Sequence, residues 1–525
     1  MMRKLVAIAF VCISLVIVGC GQLSPVSPQN SASQNNAVLE FIPRQALLAT
    51  VIDASNAGLP SALSKILPGS LTALLEPLAI DFDNDVRPWL GNNMAFAVTD
   101  SDVDRDRSNG RQTGYLWVAE IADSERLREF LELFWQRQSV AGIELEFAQT
   151  NGVPLIAGTA SADQSLVTAI VDKRTLLVAN DPQVLRQSLR VSQAPQLQMP
   201  ERNCCQPIWL TLRIPGVIDW LGLALPKEQQ FLTADHWQQL WALGEISPQG
   251  LAINTQLATL GQVRSGADAP VTDSVSADMS PQQYMPPSMA WVALGHDLQP
   301  LWLNIQNELS HYEKLPLPLR SLTQWTTTQL GQKIAAPIRQ LLAHDYSVGQ
   351  LDDGSWVMAV SNADAKNVAN LDQLAADEGL TVSQLTLGGH TVTAWSRLTT
   401  RLSQDARNRE TTVETDLVAL HTKVDDCDVF TTSLASLTAA LDAPGHALTS
   451  TQRFQRTVQI MDTPNQGYIY GTWNDMERLL ASNRWFTLVQ PILQPWTQSI
   501  DAIAITSYIQ TTNQSTGTVS VLLKK

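Results

Sequence analysis

The sequence predicts an α+β protein made of two repeats, each an antiparallel sheet with helices packed on one face. Three observations carry this expectation. Apolar runs of period two outnumber helical periods through most of the 525 residues. The dipeptides Asn151-Gly152 and Gly388-Gly389 lie between such runs, where they favour tight antiparallel hairpins. The chain also matches itself in four blocks that come in the same order twice, the signature of internal repetition. A chain this long exceeds the ~250 to 300 residues at which one hydrophobic core stops growing, so two folded units are expected on size alone.

The chain opens with Met1-Met2-Arg3-Lys4, a short cationic start, followed by an apolar run from Leu5 to Val18 interrupted only by Ser14. Ile17-Val18-Gly19-Cys20 closes the run, and the order of charge, apolar core and small residue is that of a secretory signal peptide. This stretch resembles the lipobox of bacterial lipoproteins, with Ile17 where that pattern prefers leucine. The resemblance implies cleavage after residue 19 and lipidation of Cys20. An uncleaved membrane anchor is the competing account, but Leu5 to Cys20 is shorter than the ~20 apolar residues that span a bilayer. The expected location is the cell envelope, on the periplasmic side of the inner or the outer membrane; Gly21 does not decide between them. Residues 20–37 read as the lipidated cysteine and a flexible spacer, because Gly21 to Asn36 holds no charge and is rich in Ser, Gln, Asn and Pro.

Folded sequence begins near Val38. Ala46 to Ile52 is an apolar run of strand length, and Pro60 to Leu78 has helical character broken at Pro68-Gly69. The self-matches follow. Met94 to Asp100 pairs with Trp356 to Asn362, and Ala141 to Gly158 pairs with Glu378 to Trp395 as two hairpins. Leu176 to Leu189 pairs with Asp428 to Leu441, in each case a strand and then a helix, capped by Asp181 in one copy and Ser433 in the other. Ala252 to Gln256 pairs with Ala504 to Tyr508. Repeat one thus covers 38–260, a linker rich in Gly, Ser, Asp and Pro covers 261–287, and repeat two covers 288–525. The offset between copies is 262 at the first block, 237 at the hairpin and 252 afterwards. Repeat one therefore gains residues around Ser101 to Glu125, and repeat two gains them around Ser396 to Asp416, expected as a long exposed loop. Helices are expected at Ser124 to Gln138, with Leu127, Phe130, Leu131 and Phe134 on one face, and at Pro182 to Arg190. Strand-then-helix segments recur at Ile208 to Leu221, Ala290 to Leu303 and Ile469 to Leu480.

The lipobox, the spacer, the repetition and Asp81 to Gly91 together resemble an uncharacterised, mainly cyanobacterial lipoprotein family, domain of unknown function 3352. That resemblance implies no activity, ligand or catalytic residue.

Composition narrows the function. Without Arg3 and Lys4 the mature chain has 33 basic and 50 acidic residues, which disfavours nucleic acid and anionic lipid as partners. The seven histidines are scattered, no CxxC occurs, and no pair of histidines has the helical spacing of a zinc site. No metal and no cofactor is expected. Asp81, Asp83 and Asp85, and likewise Asp100, Asp102 and Asp104, alternate as calcium ligands do. Neither run has a glycine at the sixth loop position or a glutamate at the twelfth, so solvated turns are the expected account. Of five cysteines, Cys12 leaves with the signal and Cys20 takes lipid; Cys204, Cys205 and Cys427 are expected as buried thiols, the alternatives being a bridge from Cys204 or Cys205 to Cys427 or a strained one between the adjacent pair. The fifteen tryptophans are expected mostly in the core, among them Trp117, Trp209, Trp291 and Trp356. Trp237, Trp241, Trp485 and Trp496 are the candidates for an exposed grip on a ligand. With no Walker loop and no GxSxG, the expected role is non-catalytic: binding of a protein or an apolar ligand, tethered to the membrane by lipid. The alternative is an envelope hydrolase whose active site is dispersed along the chain.

Overall fold

A computed structural model describes residues 37–53, 80–106, 108, 110–161, 164–200, 208–221, 237–247, 250–259, 280–296, 341, 343–361, 363–402, 411–461, 467–481, 490, 497–511 and 514–524. Cys20 and the signal, the helix expected over Pro60 to Leu78, Cys204, Cys205, Trp485 and Trp496 lie outside these residues. The chain divides into two compact units, one containing Val26–Val263 and the other Arg264–Gln490 with Ile500–Lys525. Among the described residues no helix is long and apolar enough to cross a membrane.

Unit one enters through a 3-10 turn at Leu39–Phe41 and runs β1 (Leu48–Asp53), β2 (Leu90–Asp100), β3 (Gly114–Ile121) and α1 (Ser124–Val140). It continues with β4 (Glu144–Thr150), β5 (Val153–Ser161), β6 (Gln164–Val171), β7 (Thr175–Ala179) and α2 (Pro182–Ser192). It closes with β8 (Ile208–Arg213), α3 (Ile214–Leu221), β9 (Trp237–Ser247) and β10 (Gly250–Thr259). All pairings are antiparallel, and the strand order across the sheet is β4-β5-β6-β7-β3-β2-β1-β8-β9-β10.

Unit two enters through a 3-10 turn at Ser280–Tyr284 and runs β11 (Met289–Gly295), β12 (Tyr346–Leu351), β13 (Trp356–Ser361) and α4 (Ala365–Asp377). Then come β14 (Thr381–Leu387), β15 (His390–Leu402), β16 (Thr411–Val424), β17 (Cys427–Thr431), α5 (Leu434–Asp442) and α6 (Gln452–Val458). The last elements are β18 (Gly467–Thr472), α7 (Trp473–Ala481), β19 (Ile500–Thr511) and β20 (Gln514–Leu523). Its strand order is β14-β15-β16-β17-β13-β12-β11-β18-β19-β20, again antiparallel throughout.

Local chemistry explains the elements that recur. Asn151 and Gly152, and Gly388 and Gly389, all have positive φ, the backbone that a two-residue hairpin turn of the right twist requires. Asp181 caps α2 by accepting from the Gln183 N–H at 2.6 Å. Ser433 caps α5 in a reciprocal box with Ser436, its hydroxyl accepting from the Ser436 N–H at 3.0 Å.

Four expectations need correction. Helices cover both faces of each sheet, not one. Leu177 and Ala179 face α2 residues Val184, Leu185 and Leu189, whereas Leu176 faces Leu127, Leu131, Phe134 and Trp135 of α1. The cause is that β7 and β17 are buried on both sides and lack the alternation of inward and outward residues, which hides the second helical layer. Next, Ser101 to Glu125 is not wholly additional sequence, since it contains β3, which lies between β2 and β7; the connection before β3, 101–113, is nonetheless longer than 352–355, which joins β12 to β13. Met94 to Asp100 lies in β2 while Trp356 to Asn362 begins with β13, the neighbour of β17; Ala252 to Gln256 lies in β10 while Ala504 to Tyr508 lies in β19. Short runs of Ala, Val and Thr resemble one another in any strand, so these two matches joined strands at different places in the order. Third, much of Ser396 to Asp416 is paired strand: Arg397 opposes Asp416 and Leu398 opposes Thr415. It remains on the surface, with Leu398 56% exposed, and its several Thr residues suit a ribbon better than a loop. Finally, the end of the expected linker is core, because Tyr284 and Met285 are buried in unit two.

Candidate functional site

A buried polar network lies beneath α4. Asp364 caps that helix by accepting from the Lys366 N–H. Leu371 and Ala375 then face the sheet, and Asp372 comes with them. Its Oδ1 accepts from Trp395 Nε1 on β15 at 2.7 Å and from His421 Nε2 on β16 at 2.8 Å. A carboxylate only accepts, so His421 Nε2 carries a proton in this contact. The ring of His421 stacks on Phe430 of β17 at 5.2 Å and meets Trp395 edge-on at 5.5 Å, which leaves the histidine 7% exposed. Burial works to raise the Asp372 pKa, but the hydrogen bonds from His421 and Trp395, with the charge on His421, outweigh it and hold the carboxyl below its usual 3.8.

Asp428 is on the same face of β17 as Phe430, opposite Lys423 on β16. It is 4% exposed, and its Oδ2 has no hydrogen-bond partner among the described residues. Burial raises its pKa, opposed by the charges on Lys423 and His421.

The reverse face of β17 holds a second group. Ser280 Oγ donates to Asp426 Oδ1 at 2.7 Å and lies 3.2 Å from Cys427 Sγ. Cys427 is free and fully buried; burial first, and the charges on Asp426 and Asp428 next, push its thiol up to about 12. A thiol so protonated is a poor nucleophile at neutral pH. Tyr284 is likewise pushed to about 12, by burial and then by Cys427 and Asp425. The histidine with its carboxylate and the hydroxyl with its thiol thus lie on opposite faces of one strand. Among the described residues the ring nitrogens of His421 bond only to Asp372. A further pair, His296 Nδ1 with Asp345 Oδ1 at 2.6 Å, joins the segments after β11 and before β12.

The aspartate runs are turns. Asp81 accepts from the Asn84 N–H at 2.8 Å, and Asp85 accepts from the Asp81 N–H at 2.8 Å around a single π turn, Phe82–Val86, that also contains Asp83. Asp100 accepts from the Asp102 N–H, Asp102 from the Gln112 N–H and Asp104 from the Asp106 N–H. Among the described residues no three His, Cys, Asp or Glu side chains gather as metal ligands. Trp209, Trp291 and Trp356 are buried and Trp117 is partly so, which is the core role expected for them. Trp237 and Trp241 lie in β9, and Trp241 packs partly buried against the core of unit one. Its strand turns that side chain inward, so it is not a free surface indole.

The sequence reading did not single out Asp372 with His421. The available signal was polar: His421 and Asp372 each interrupt an otherwise apolar set of inward positions. Only the pairing of β15, β16 and β17 brings them together.

Fold and interior define a two-unit antiparallel α+β protein with a buried carboxylate–imidazole–indole network in its second unit. The chain belongs to the family described as protein of unknown function DUF3352, whose model matches residues 5–524. No curated protein matches it in sequence. Among solved structures, crystal form IV of TP0453 is similar with TM-score 0.28 and 10% identity, over 42% of this chain and 79% of that one. Crystal form I of TP0453 has TM-score 0.28 and 10% identity, over 45% of this chain and 82% of that one.

Proposed function

We propose that this is an exported lipoprotein of the cell envelope, held to a membrane by lipid on Cys20, whose two units arose by internal duplication and serve binding or scaffolding of a protein or an apolar ligand. The observation that carries the location is the order of Met1 to Cys20: cationic start, apolar run, small residue, cysteine. The uncharged spacer that follows supports it, since a folded unit near a bilayer needs slack.

Duplication is supported by the two strand orders, which correspond position by position, and by matching detail at the entry turns. The Met199 N–H donates to the Ile42 carbonyl at 2.9 Å, and the Leu448 N–H donates to the Met285 carbonyl at 2.8 Å. A binding role is favoured over hydrolysis because His421 and Asp372 are used up in joining helix to sheet, and the buried thiol and hydroxyl face away from them.

Replacing Cys20 by Ala tests the location. The substituted chain is expected to lose fatty-acid labelling and to retain its signal. Unchanged labelling and unchanged fractionation with membranes would sink the proposal.

A further inference from the structure

The two matched hairpins differ at their turns in a way that carries chemistry. Unit two joins β14 to β15 through Gly388-Gly389, whereas unit one joins β4 to β5 through Asn151-Gly152. Asn151 and Gly152 are both exposed, with φ of 53° and 82°. A Cβ built on Gly152 would meet nothing within 4 Å, so the approach to its nitrogen is open. The ladder ends where Thr150 opposes Val153, and the Gly152 N–H makes no hydrogen bond among the described residues. The Asn151 amide has one long contact there, donating from Nδ2 to Gln193 Oε1 at 3.4 Å. Asn180 is held quite differently. It is half-buried, its Oδ1 accepts from the Tyr115 N–H at 2.7 Å, and its Nδ2 donates to the Thr113 carbonyl at 2.8 Å.

We propose that Asn151 is a site of spontaneous covalent modification in the folded chain, its amide closing onto the adjacent, unshielded Gly152 nitrogen and passing to isoaspartate and aspartate. The Gly152 nitrogen gives its proton to solvent hydroxide and bonds to Asn151 Cγ; the Cγ–Nδ2 bond breaks, and Nδ2 leaves as ammonia. Water then opens the cyclic imide. Cleavage between the ring nitrogen and Cγ restores the main chain with aspartate, while cleavage between that nitrogen and the Asn151 carbonyl carbon routes the main chain through the side chain, as isoaspartate. One water is consumed, one ammonia is released, and nothing is oxidised or reduced. Ring closure requires the peptide group between the two residues to rotate out of the turn. Neither residue is buried, so the rotation costs the 3.4 Å contact and the last ladder pair, a local opening and not the unfolding of unit one. The residue types that give both positions positive φ are therefore the ones that make this turn labile. Either product adds a carboxylate to a hairpin that already exposes Glu144 and Glu146. The matching turn of unit two has no amide to lose.

The native full chain, held at mildly alkaline pH and compared with an unincubated sample, tests this by tryptic peptide mass spectrometry. Cleavage after Arg111, Arg137 and Lys173 separates Asn151 from Asn109-Gly110 and from Asn180. The Asn151 peptide is expected to gain the mass of an amide-to-acid change, and to accept methyl groups from an isoaspartyl methyltransferase, at least about tenfold faster than the Asn180 peptide. Asn151→Gly copies the turn of unit two without strain and should abolish both signals in that peptide, with an unchanged circular dichroism spectrum. Conversion no faster than at Asn180, or an intact Asn151 amide in the folded chain after the urea-unfolded chain has converted, would overturn the proposal.

Discussion

In unit one the indole between helix and sheet descends from the helix; in unit two it rises from the sheet. Trp135 and Asp372 occupy matching places, each six residues before its helix C-cap, Ala141 or Glu378. Gly158 opposes Leu145 where Trp395 opposes Val382, and Thr168 lies between Ile156 and Val178 where His421 lies between Thr393 and Phe430. A Cβ on Gly158 would come within 2.6 Å of the Trp135 ring, so the strand must lack a side chain where the helix supplies the tryptophan. Trp135 Nε1 donates to Thr168 Oγ1 at 3.1 Å, the contact that Asp372 and His421 replace. The difference teaches that a helix–sheet layer of set thickness requires one large ring and a satisfied polar partner, not a particular origin for either.

The sharpest way to break this comparison is Trp135→Asp. It removes a buried indole and leaves a carboxylate in an apolar layer, at a cost of about 3 to 5 kcal/mol. Adding Gly158→Trp and Thr168→His rebuilds the arrangement of unit two and should recover more than half of that loss. Hydrogen exchange of α1 and β6 amides reads both variants; a triple variant no more stable than Trp135→Asp would mean that the two layers are not equivalent.

A middle-sized effect should appear in the pH dependence of unit two. Because the folded state depresses the Asp372 pKa, its stabilisation is complete above the usual 3.8 and is lost as pH falls through the lower folded value. Asp428 acts in the opposite sense. Its raised pKa favours the protonated fold below 3.8, and that contribution is lost as pH climbs through the raised value. Asp428→Asn should therefore stabilise unit two at neutral pH, while Asp372→Asn should destabilise it there and flatten the acid limb. Leu176 stands at the corresponding place in unit one, opposite Ile170 as Asp428 is opposite Lys423, so these two shifts have no counterpart there. Urea midpoints measured across pH distinguish the cases, and identical profiles for both aspartate variants would contradict the assignment.

The smallest effects concern the matched caps. Asp181→Ala and Ser433→Ala should each cost about 1 kcal/mol, read as loss of exchange protection in the first turn of α2 and of α5. A larger loss at Ser433 would reflect the second bond of its hydroxyl, which donates to Ser436 Oγ at 2.9 Å and for which the Asp181 carboxylate, an acceptor only, has no equivalent.

Much of the architecture was legible because it is local. A turn such as Asn151-Gly152 or a cap such as Asp181 acts within a few residues of itself, so the hairpins and capped helices could be located from the chain alone. The strand matches failed where the signal was only a short apolar run, as at Met94 to Asp100. The helical layer over the far face was missed because β17 is buried on both sides and shows no alternation.

By itself the sequence determined the antiparallel α+β class, the two hairpins, the caps and the family, since these depend on period, turn chemistry and motif. Tertiary structure alone decided which strands neighbour one another and which polar residues meet. Asp372 and His421 are 49 residues apart and are joined by pairing of β15 with β16 and of β16 with β17, together with the seat of α4 on the sheet. Nothing in either residue's neighbourhood encodes that contact, because the partner of a buried polar group is selected by the geometry of the packed layer and not by adjacency along the chain.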